Sequence, residues 1–360
     1  MDHRLAQLRA LMAEQTITAL LVGSATNRRY LSGFTGSYGW LLLTADAAII
    51  FTDSRYTIQA AHEAPNFTFC EVNYAERPLP KLLKAMAEEL GLQTIACEAA
   101  HLTLAEHQQL EKALGSAISL DPKQNLVESL REVKDETELT TLRRAITLTD
   151  AALAAVLERI TPQTTEREAA WMLEVAMRLG GAEAISFPII VAAGPNSALP
   201  HAQPGDTPLG EGQPIVIDMG ARVDGYHADL TRTIALGTPD ARFWEIYDIV
   251  LAAQRNAIAG LRPGLATHEA DALARDVITA AGYGDQFGHG LGHGVGLNIH
   301  EAPGLRRAAA NAPAVHLRPG MVTSIEPGIY IEGWGGIRIE DLALITADGA
   351  EVLSQAPKLR

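Results

Sequence analysis

Cysteine is scarce in this chain of 360 residues, and its scarcity limits the chemistry that the protein can use. The sequence contains two cysteines, Cys70 and Cys97. They lie far apart in apolar segments and form no C-x-x-C pair, so we interpret them as buried, reduced thiols. This pattern predicts a protein of the reducing cytoplasm.

Positive charge and long apolar runs are lacking as well. There are 29 Lys and Arg against 43 Asp and Glu, and the net charge of −14 argues against nucleic acid as a partner. No segment approaches eighteen uninterrupted apolar residues, so we expect no membrane span. The first 15 residues place Leu5, Leu8 and Met12 at helical spacing and lack the features of a signal peptide.

The length and the order of predicted elements indicate two domains. From Ile17 to about Leu120, strand-like and helical segments alternate, which predicts an α/β layer fold. One of its helices is expected to begin at Ser54 as the N-cap. No G-x-G-x-x-G or P-loop motif indicates nucleotide binding. Asp121-Pro122 marks a break, so we assign residues 1–123 to an N-terminal domain and 124–360 to a second domain.

The second domain is predicted to combine helices and strands in an α+β fold. Amphipathic segments at 134–160, 164–181, 239–264 and 266–282 predict helices. Thr165 and Glu168 have the spacing of a capping box, and Gly180-Gly181 predicts the end of that helix. The strand-like segments between these helices hold the candidate functional residues.

Four carboxylates and one imidazole recur in short strand-like or glycine-rich segments. Asp218 follows an apolar run, and "GARVDGY" predicts a hairpin that brings it close to Asp229. Buried carboxylates need partners or metal ions. Oxygen ligands with one nitrogen suit Mn²⁺ or Co²⁺, and five such ligands suit two ions that share carboxylates. The five candidates are Asp218, Asp229, His293, Glu326 and Glu340.

The segment from Gly288 to His300 contains several histidines among closely spaced glycines. Five glycines between Gly288 and Gly296 disfavour a helix and predict close passage of the backbone past metal and substrate. His289 and His293 are four residues apart, but a helical zinc pair is disfavoured by the glycines and by the lack of an H-E-x-x-H motif. We therefore interpret the segment as one ligand with two substrate-facing histidines.

These motifs resemble those of the pita-bread metallopeptidases, peptidase family M24, in the branch that contains aminopeptidase P and prolidase. The resemblance covers roughly Val133 to Leu359, and the N-terminal domain resembles the smaller domain of aminopeptidase P, prolidase and creatinase. In that family the smaller domain lies near the active site of a neighbouring subunit and limits substrate length. The resemblance therefore implies a pita-bread catalytic domain in a homodimer.

The resemblance also implies a role for each candidate residue. The five candidates would hold two divalent metal ions, with Asp229 and Glu340 bridging them. Mn²⁺ is the expected metal, with Co²⁺ and Zn²⁺ as alternatives. His201, His289 and His300 match histidines that are in the active site but do not bind metal. Arg338 matches an arginine that orients the substrate or a neighbouring carboxylate.

The implied reaction is hydrolysis of the Xaa-Pro bond at the N-terminus of a peptide by a hydroxide held between two metal ions. Glu326 is expected to transfer the proton from water to the leaving nitrogen, and His300 to stabilise the oxyanion together with one metal ion. His201 and His289 are expected to help form the proline pocket. The partner is thus a peptide with proline at its second position.

Several alternatives remain within and beyond this branch. The short N-terminal domain favours aminopeptidase P, whereas a strict Xaa-Pro dipeptidase, prolidase, stays open because Arg338 is expected in both. Methionine aminopeptidase shares the ligands but not the N-terminal domain. Creatinase is a metal-free enzyme of the same fold, and a non-catalytic relative would have lost ligands, whereas all five are present here.

Overall fold

The computed structural model describes residues 2–308 and 313–360. Its contacts divide the chain into two compact units, Met1–Arg131 and Glu132–Arg360. The elements of the first unit are α1 (Asp2–Glu14), β1 (Ala19–Val22), α2 (Ala25–Ser32), β2 (Trp40–Thr44), β3 (Ala48–Asp53), α3 (Thr57–Glu63), β4 (Thr68–Val72), α4 (Leu79–Glu89), β5 (Thr94–Glu98), α5 (Leu104–Leu114), β6 (Ser119–Lys123) and α6 (Leu126–Arg131).

The first unit is a mixed sheet covered by helices. Its strand order is β4-β3-β2-β1-β5-β6, with antiparallel pairs among β1, β2 and β3 and parallel pairs where β4, β5 and β6 join. Leu21, Leu42 and Phe51 of the sheet pack with Leu83 of α4 in one apolar core. The predicted α/β layer fold is confirmed.

The predicted domain boundary after Lys123 differs from the division of the structure, which falls after Arg131. The cause is α6, which packs on α1 and α2 of the first unit. Leu126 and Val127 are buried, and Arg131 Nη1 donates to Asn27 Oδ1 at 2.8 Å. Asp121-Pro122 is not a break but part of the edge strand β6, where proline is tolerated because no strand pairs beyond it.

The predicted helix cap at Ser54 is also wrong. Ser54–Tyr56 form a 3₁₀ turn, and α3 begins only at Thr57. Asp53 caps this turn by accepting a hydrogen bond from Arg55 N at 3.0 Å, and its carboxylate also pairs with the Arg55 side chain. The short polar residue just before the turn therefore takes the cap.

Among its described residues, the second unit contains two pairs of helices and several small sheets. Its helices are α7 (Glu136–Leu157), α8 (Glu166–Leu179), α9 (Ala241–Gly260) and α10 (Thr267–Ala280). Its strands are β7 (Ala184–Ile185), β8 (Ile190–Ala193), β9 (Ile215–Met219), β10 (Ala221–Val223), β11 (Tyr226–His227), β12 (Leu230–Ile234), β13 (Gly292–Gly294), β14 (Glu301–Leu305), β15 (Val322–Ile325), β16 (Gly328–Ile331), β17 (Gly335–Arg338), β18 (Asp341–Ile345) and β19 (Ala350–Val352).

Each helix pair covers its own strands. Leu153 of α7 and Leu173 of α8 pack against Ile217 of β9, whereas Tyr247 of α9 and Ile278 of α10 belong to a core shared with β15 and β17. The sheet β12-β9-β8 meets the sheet β14-β13-β15-β18-β19 where β12 contacts β18, and β17 contacts both β9 and β12. The predicted α+β arrangement is confirmed.

The local signals for α8 are confirmed. Thr165 Oγ1 accepts from Glu168 N at 3.2 Å, and Glu168 Oε2 accepts from Thr165 N at 2.8 Å, which completes the capping box. The helix ends before Gly180, and Gly181 has a φ of 109°. Across the described ranges, no helix has the length and apolar character that a bilayer crossing requires.

Candidate metal centre and active site

The first two candidate ligands meet on a pair of antiparallel strands. Asp218 lies in β9 opposite Thr231 of β12, and Asp229 lies just before β12. The chain between them forms the β10–β11 hairpin, whose turn residues Asp224 and Gly225 have φ values of 46° and 78°. Positive φ at both positions is typical of a tight type I′ turn. The predicted hairpin therefore does bring the two segments together.

The glycines around His293 allow three strands to approach each other closely. A methyl group on Gly292 would lie 1.9 Å from Ser324 O of β15, and one on Gly294 would lie 2.1 Å from Ala302 O of β14. Neither glycine needs a positive φ. At Gly292 and Gly294 the close neighbours are backbone atoms of adjacent strands. Gly288, Gly290 and Gly292 also line the cavity that contains the candidate ligands, and close passage of this backbone past metal and substrate stays a prediction.

Hydrogen bonds orient the His293 ring toward the carboxylates. Nδ1 lies 3.1 Å from Gly294 O, and because a carbonyl oxygen can only accept, Nδ1 is the donor. The neutral ring then presents the lone pair of Nε2 to Asp229 Oδ2 at 3.6 Å and Glu326 Oε1 at 3.4 Å. A lone pair facing carboxylate oxygens is the arrangement that a bound cation stabilises.

Ser324 links His293 to Glu326. Its Oγ accepts from His293 N at 3.0 Å and donates to Glu326 Oε1 at 2.9 Å. Glu326 follows β15, and its backbone N donates to Leu291 O at 2.8 Å. One hydroxyl thus sets the relative position of two candidate ligands.

Glu340 lies between β17 and β18 and is fastened to β12. Its backbone N donates to Thr231 O at 3.0 Å, and Thr231 Oγ1 donates to Glu340 Oε2 at 2.7 Å. The other oxygen, Oε1, is buried without a hydrogen-bond partner among the described residues, as is Asp218 Oδ1. Ligand atoms of Asp229, His293 and Glu340 all lie within 4.8 Å of one another. The donor set therefore fits divalent cations.

The electrostatics of the cluster lead to the same conclusion. Burial, followed by the charges of Glu340 and Asp218, raises the pKa of Asp229 well above its usual range. Burial, followed by the charges of Glu326 and Asp218, has the same effect on the pKa of Glu340. Burial also raises the pKa of Asp218 and of Glu326. Such crowding is unfavourable unless cations compensate it.

Arg338 partly compensates this charge. Nη2 donates to Asp218 Oδ2 at 2.6 Å, Nε to Thr231 Oγ1 at 3.0 Å, and Nη1 to Tyr330 Oη at 2.9 Å and Pro200 O at 3.3 Å. Its guanidinium is thus bonded on every nitrogen and holds one candidate ligand in place.

The three predicted non-ligand histidines surround the carboxylate cluster. His289 Nδ1 donates to Gly290 O at 2.8 Å, and Nε2 therefore accepts from Tyr330 Oη at 2.9 Å. Burial lowers the pKa of His289. The ring of His300 packs edge-on against that of His293 with centroids 4.2 Å apart. His201 is exposed at the edge of the same cavity.

All the predicted site residues line a single cavity of about 650 Å³. They are His201, Asp218, Asp229, His289, His293, His300, Glu326, Arg338 and Glu340. Apolar side chains form much of the remaining wall, namely Phe187, Pro188, Ile190, Pro200, Ile299 and Leu305. The cavity therefore combines a charged floor with walls suited to an apolar ring.

Sequence reasoning missed the residues that hold the others in place. Tyr330 contacts both His289 and Arg338, Ser324 joins His293 to Glu326, and Thr231 binds Glu340 and Arg338. Their only local signal is a hydroxyl on a strand near a candidate ligand. That signal is common in strands and does not by itself indicate a functional residue.

Comparison with known proteins finds a metallopeptidase family, in agreement with the cluster of candidate metal ligands. Residues 140–347 match metallopeptidase family M24, and residues 4–133 match the creatinase/prolidase N-terminal domain. An uncharacterized peptidase of Bacillus subtilis, YqhT, is 39% identical over 99% of this chain and 98% of its own length.

Two solved structures are similar over nearly their whole length. An Xaa-Pro dipeptidase from Bacillus anthracis has a TM-score of 0.94 at 39% identity, covering 99% of this chain and 98% of that one. An X-Pro aminopeptidase from Thermotoga maritima has a TM-score of 0.89 at 35% identity, with the same coverage. With its creatinase-type N-terminal domain and its pita-bread catalytic domain, this chain belongs to metallopeptidase family M24.

Proposed function

We propose that this protein is a metal-dependent exopeptidase that hydrolyses the Xaa-Pro bond at the N-terminus of peptides. The observation that carries the proposal is the group of four carboxylates and one histidine at the floor of a partly apolar cavity. The names of the relatives from Bacillus anthracis and Thermotoga maritima support proline at the second position. They differ on whether the substrate is a dipeptide or a longer peptide.

Asp218, Asp229, His293, Glu326 and Glu340 would hold two divalent ions. Mn²⁺ is our preferred metal because four oxygen ligands outnumber one nitrogen, and Co²⁺ and Zn²⁺ accept the same donors. When bound, the ions supply Lewis acidity toward the scissile carbonyl and make water a competent nucleophile near neutral pH.

The side chains around the cluster supply proton transfer and orientation. Glu326, held by Ser324 at the cavity floor, is placed to accept the proton of the attacking water and to deliver it to the leaving nitrogen. This delivery matters for proline, whose nitrogen leaves as a secondary amine. His300, beside His293 at the cavity wall, would donate a hydrogen bond to the developing oxyanion.

The Xaa-Pro bond is a tertiary amide and has no N–H group to donate. A pocket for the proline ring therefore must not depend on a hydrogen bond from that nitrogen. His201 and His289 line the same cavity as the apolar side chains of Phe187 and Ile190. The Tyr330 hydroxyl fixes the orientation of His289. We infer that this wall and the two histidines together form the proline pocket.

Hydrolysis assays with metal-stripped protein test this function. With Mn²⁺ added back, we expect cleavage of Ala-Pro or of both Ala-Pro and Ala-Pro-Ala, and no cleavage after chelation. Asp229→Asn should lose at least about 100-fold in kcat/KM, because a ligand and its charge are removed. The matched control is Asp224→Asn in the neighbouring β10–β11 turn, where the exposed carboxylate pairs with Arg144 at the surface. Failure to cleave either peptide would overturn the proposal.

We also propose a cytoplasmic homodimer. The location is supported by two free cysteines on β4 and β5, which are four strand spacings, about 19 Å, apart in the sheet order and so cannot form a disulfide. Burial raises the pKa of Cys97 to about 11, which keeps the thiol protonated and unreactive. The dimer follows from the family resemblance, and light scattering of the purified protein tests it.

A further inference from the structure

One buried carboxylate has no place in the proposed reaction. Glu166 is the first residue of α8, and its exposed fraction is 0%. It does not line the cavity that contains the candidate ligands. In the part of the chain that the structure describes, it forms no ion pair with a basic side chain. A buried charge without a cation needs hydrogen-bond donors, so the donors around Glu166 indicate its role.

The donors lie at both ends of one loop, residues 194–205, which we call the rim loop. Glu166 Oε1 accepts from Ala193 N at 2.8 Å and from Asn196 Nδ2 at 2.9 Å, where the loop begins. Glu166 Oε2 accepts from Gly205 N at 2.9 Å, where the loop ends. One carboxylate therefore ties the two ends of the rim loop together.

The start of α8 strengthens this connection. Glu166 N donates to Thr207 O and Arg167 N donates to Gly205 O, both at 3.0 Å. These bonds satisfy two of the amides that have no partner within the helix. The positive end of the helix dipole also favours a negative charge at this position. The first turn of α8 thus holds the rim loop through both its backbone and its side chain.

The rim loop forms part of the cavity wall. Three of its residues line the cavity, namely Pro200, His201 and Gln203. Ala202 is buried and packs with Ile190, which lines the same cavity. Within residues 2–308 and 313–360, the imidazole of His201 makes no hydrogen bond. Its position therefore depends on the backbone of the loop that carries it.

We propose that Glu166 is a positioning residue that holds the rim loop in the conformation that receives the proline ring. The inference rests on the proposed function, in which His201 helps to form the proline pocket, and it names what fixes the shape of that pocket. Release of the loop ends increases the conformational freedom of the loop. Arg338 keeps its bonds to Asp218 and Tyr330, so substrate binding should weaken more than the chemical step.

Steady-state kinetics of Mn²⁺-loaded Glu166→Gln protein test the inference. The substrate is Ala-Pro or Ala-Pro-Ala, whichever the unchanged protein cleaves faster. The amide keeps the size of the side chain, but it loses the charge and one of the two accepting ends. KM should rise by about tenfold, whereas kcat should fall by less than about threefold. Partial unfolding or incomplete metal loading would lower kcat and leave KM unchanged.

Two further variants separate the loop from the rest of the structure. Glu168→Gln removes a carboxylate from the same helical turn, where it accepts from Thr165 N at 2.8 Å, and should leave KM and kcat within about twofold. Asn196→Ala removes one donor to Glu166 from the loop side and should raise KM by a smaller factor, about threefold. The second variant tests the same connection if Glu166→Gln does not fold.

Hydrogen exchange provides a readout that needs no substrate. In chelator-treated Glu166→Gln protein, the amides of residues 193–205 should exchange about tenfold faster than in the unchanged protein, because the Ala193 and Gly205 amides lose their acceptor. The amides of β15 and β18 should exchange at an unchanged rate. Equal acceleration in both regions would show general destabilisation and overturn the positioning role.

The kinetic outcomes distinguish this inference from the proposed function. If the unchanged protein cleaves the peptide and Glu166→Gln keeps its KM, the inference is overturned and the proposed function stands. The same holds if Glu168→Gln raises KM as much as Glu166→Gln does. If the unchanged protein cleaves neither Ala-Pro nor Ala-Pro-Ala, the proposed function is overturned and this inference with it.

Discussion

At the scale of single residues, hydroxyl groups determine how the candidate ligands are arranged. Ser324 binds both the backbone of His293 and the carboxylate of Glu326, and Thr231 binds Glu340 and Arg338. Neither residue is a candidate ligand. Such partners commonly change metal affinity by 10- to 100-fold because they fix the orientation of the ligands.

Ser324→Ala should therefore weaken metal binding by roughly tenfold or more and destabilise the fold by about 1–3 kcal/mol, since the buried His293 N–H loses its acceptor. Titration calorimetry with Mn²⁺ and urea unfolding measure the two effects. Ser354→Ala is the matched control, because buried Ser354 accepts from Leu342 N at 3.0 Å and does not line the cavity. It should lose similar stability with unchanged metal affinity, and equal losses of affinity in both variants would contradict the prediction.

At the scale of elements, the close contact of β13 with β15 depends on glycine. Gly292→Ala should destabilise the protein by about 1–3 kcal/mol or more, because the added methyl group would lie 1.9 Å from Ser324 O and the strands would have to separate. Gly288→Ala, in the same segment, has no atom within 4 Å of the new methyl group and should change stability by less than about 0.5 kcal/mol. Similar urea midpoints for the two variants would show that the close contact of β13 with β15 does not depend on glycine at position 292.

Sequence signals predicted those elements whose partners are close along the chain. The capping box of Thr165 and Glu168 and the turn at Asp224-Gly225 are complete within a few residues, so the pattern contains all the interacting groups. The boundary near Lys123 was misplaced because α6 is defined by packing on α1 and α2, about 100 residues earlier. The Gly292 contact could not be predicted from the local pattern for the same reason, since its neighbour Ser324 O lies 32 residues later.

At the scale of the whole catalytic unit, the C-terminal residues contact side chains next to the candidate metal centre. Buried Arg232 donates to Ala356 O at 2.7 Å, to the Asp341 carboxylate at 2.7 Å and to Glu340 O. Lys358 also pairs with Asp341. Since Glu340 directly precedes Asp341, the contacts of Ala356 and Lys358 help to fix the position of a candidate ligand.

Deleting residues 356–360 should therefore destabilise the protein by about 3 kcal/mol or more, because buried Arg232 loses its acceptor Ala356 O and buried Asp341 loses its partner Lys358. Deleting Arg360 alone removes a half-exposed pair with Asp248 and should cost less than about 1 kcal/mol. Thermal unfolding of the two truncated proteins makes the comparison. A small effect of the longer deletion would show that Arg232 finds other acceptors.

The site as a whole could be predicted only in part, and the reason is the distance along the chain between its components. Carboxylates placed in strand-like segments are locally unusual, so Asp218 and Glu340 were identified from their surroundings and by family resemblance. Tyr330 and Thr231 are ordinary strand residues, and their importance comes from partners on other strands. Thr231 and Glu340 are separated by 109 residues. Such a contact becomes visible only when the strands are paired.

Because the carboxylates are crowded, we expect Asp229→Asn to stabilise the metal-free protein and to weaken metal binding. Burial and mutual repulsion disfavour the charged form of Asp229 beside Glu340 and Asp218. In chelator-treated protein at neutral pH, Asp229→Asn should therefore raise the melting temperature. In the unchanged protein, Mn²⁺ at 100 times its dissociation constant should add about 2.7 kcal/mol to the free energy of unfolding, and the variant should lack most of this gain.

Differential scanning calorimetry with and without Mn²⁺ measures both effects. Asp224→Asn is the control, and its stability should respond to the metal as that of the unchanged protein does. A chelated Asp229→Asn protein that melts below the chelated unchanged protein would show that Asp229 stabilises the fold by itself.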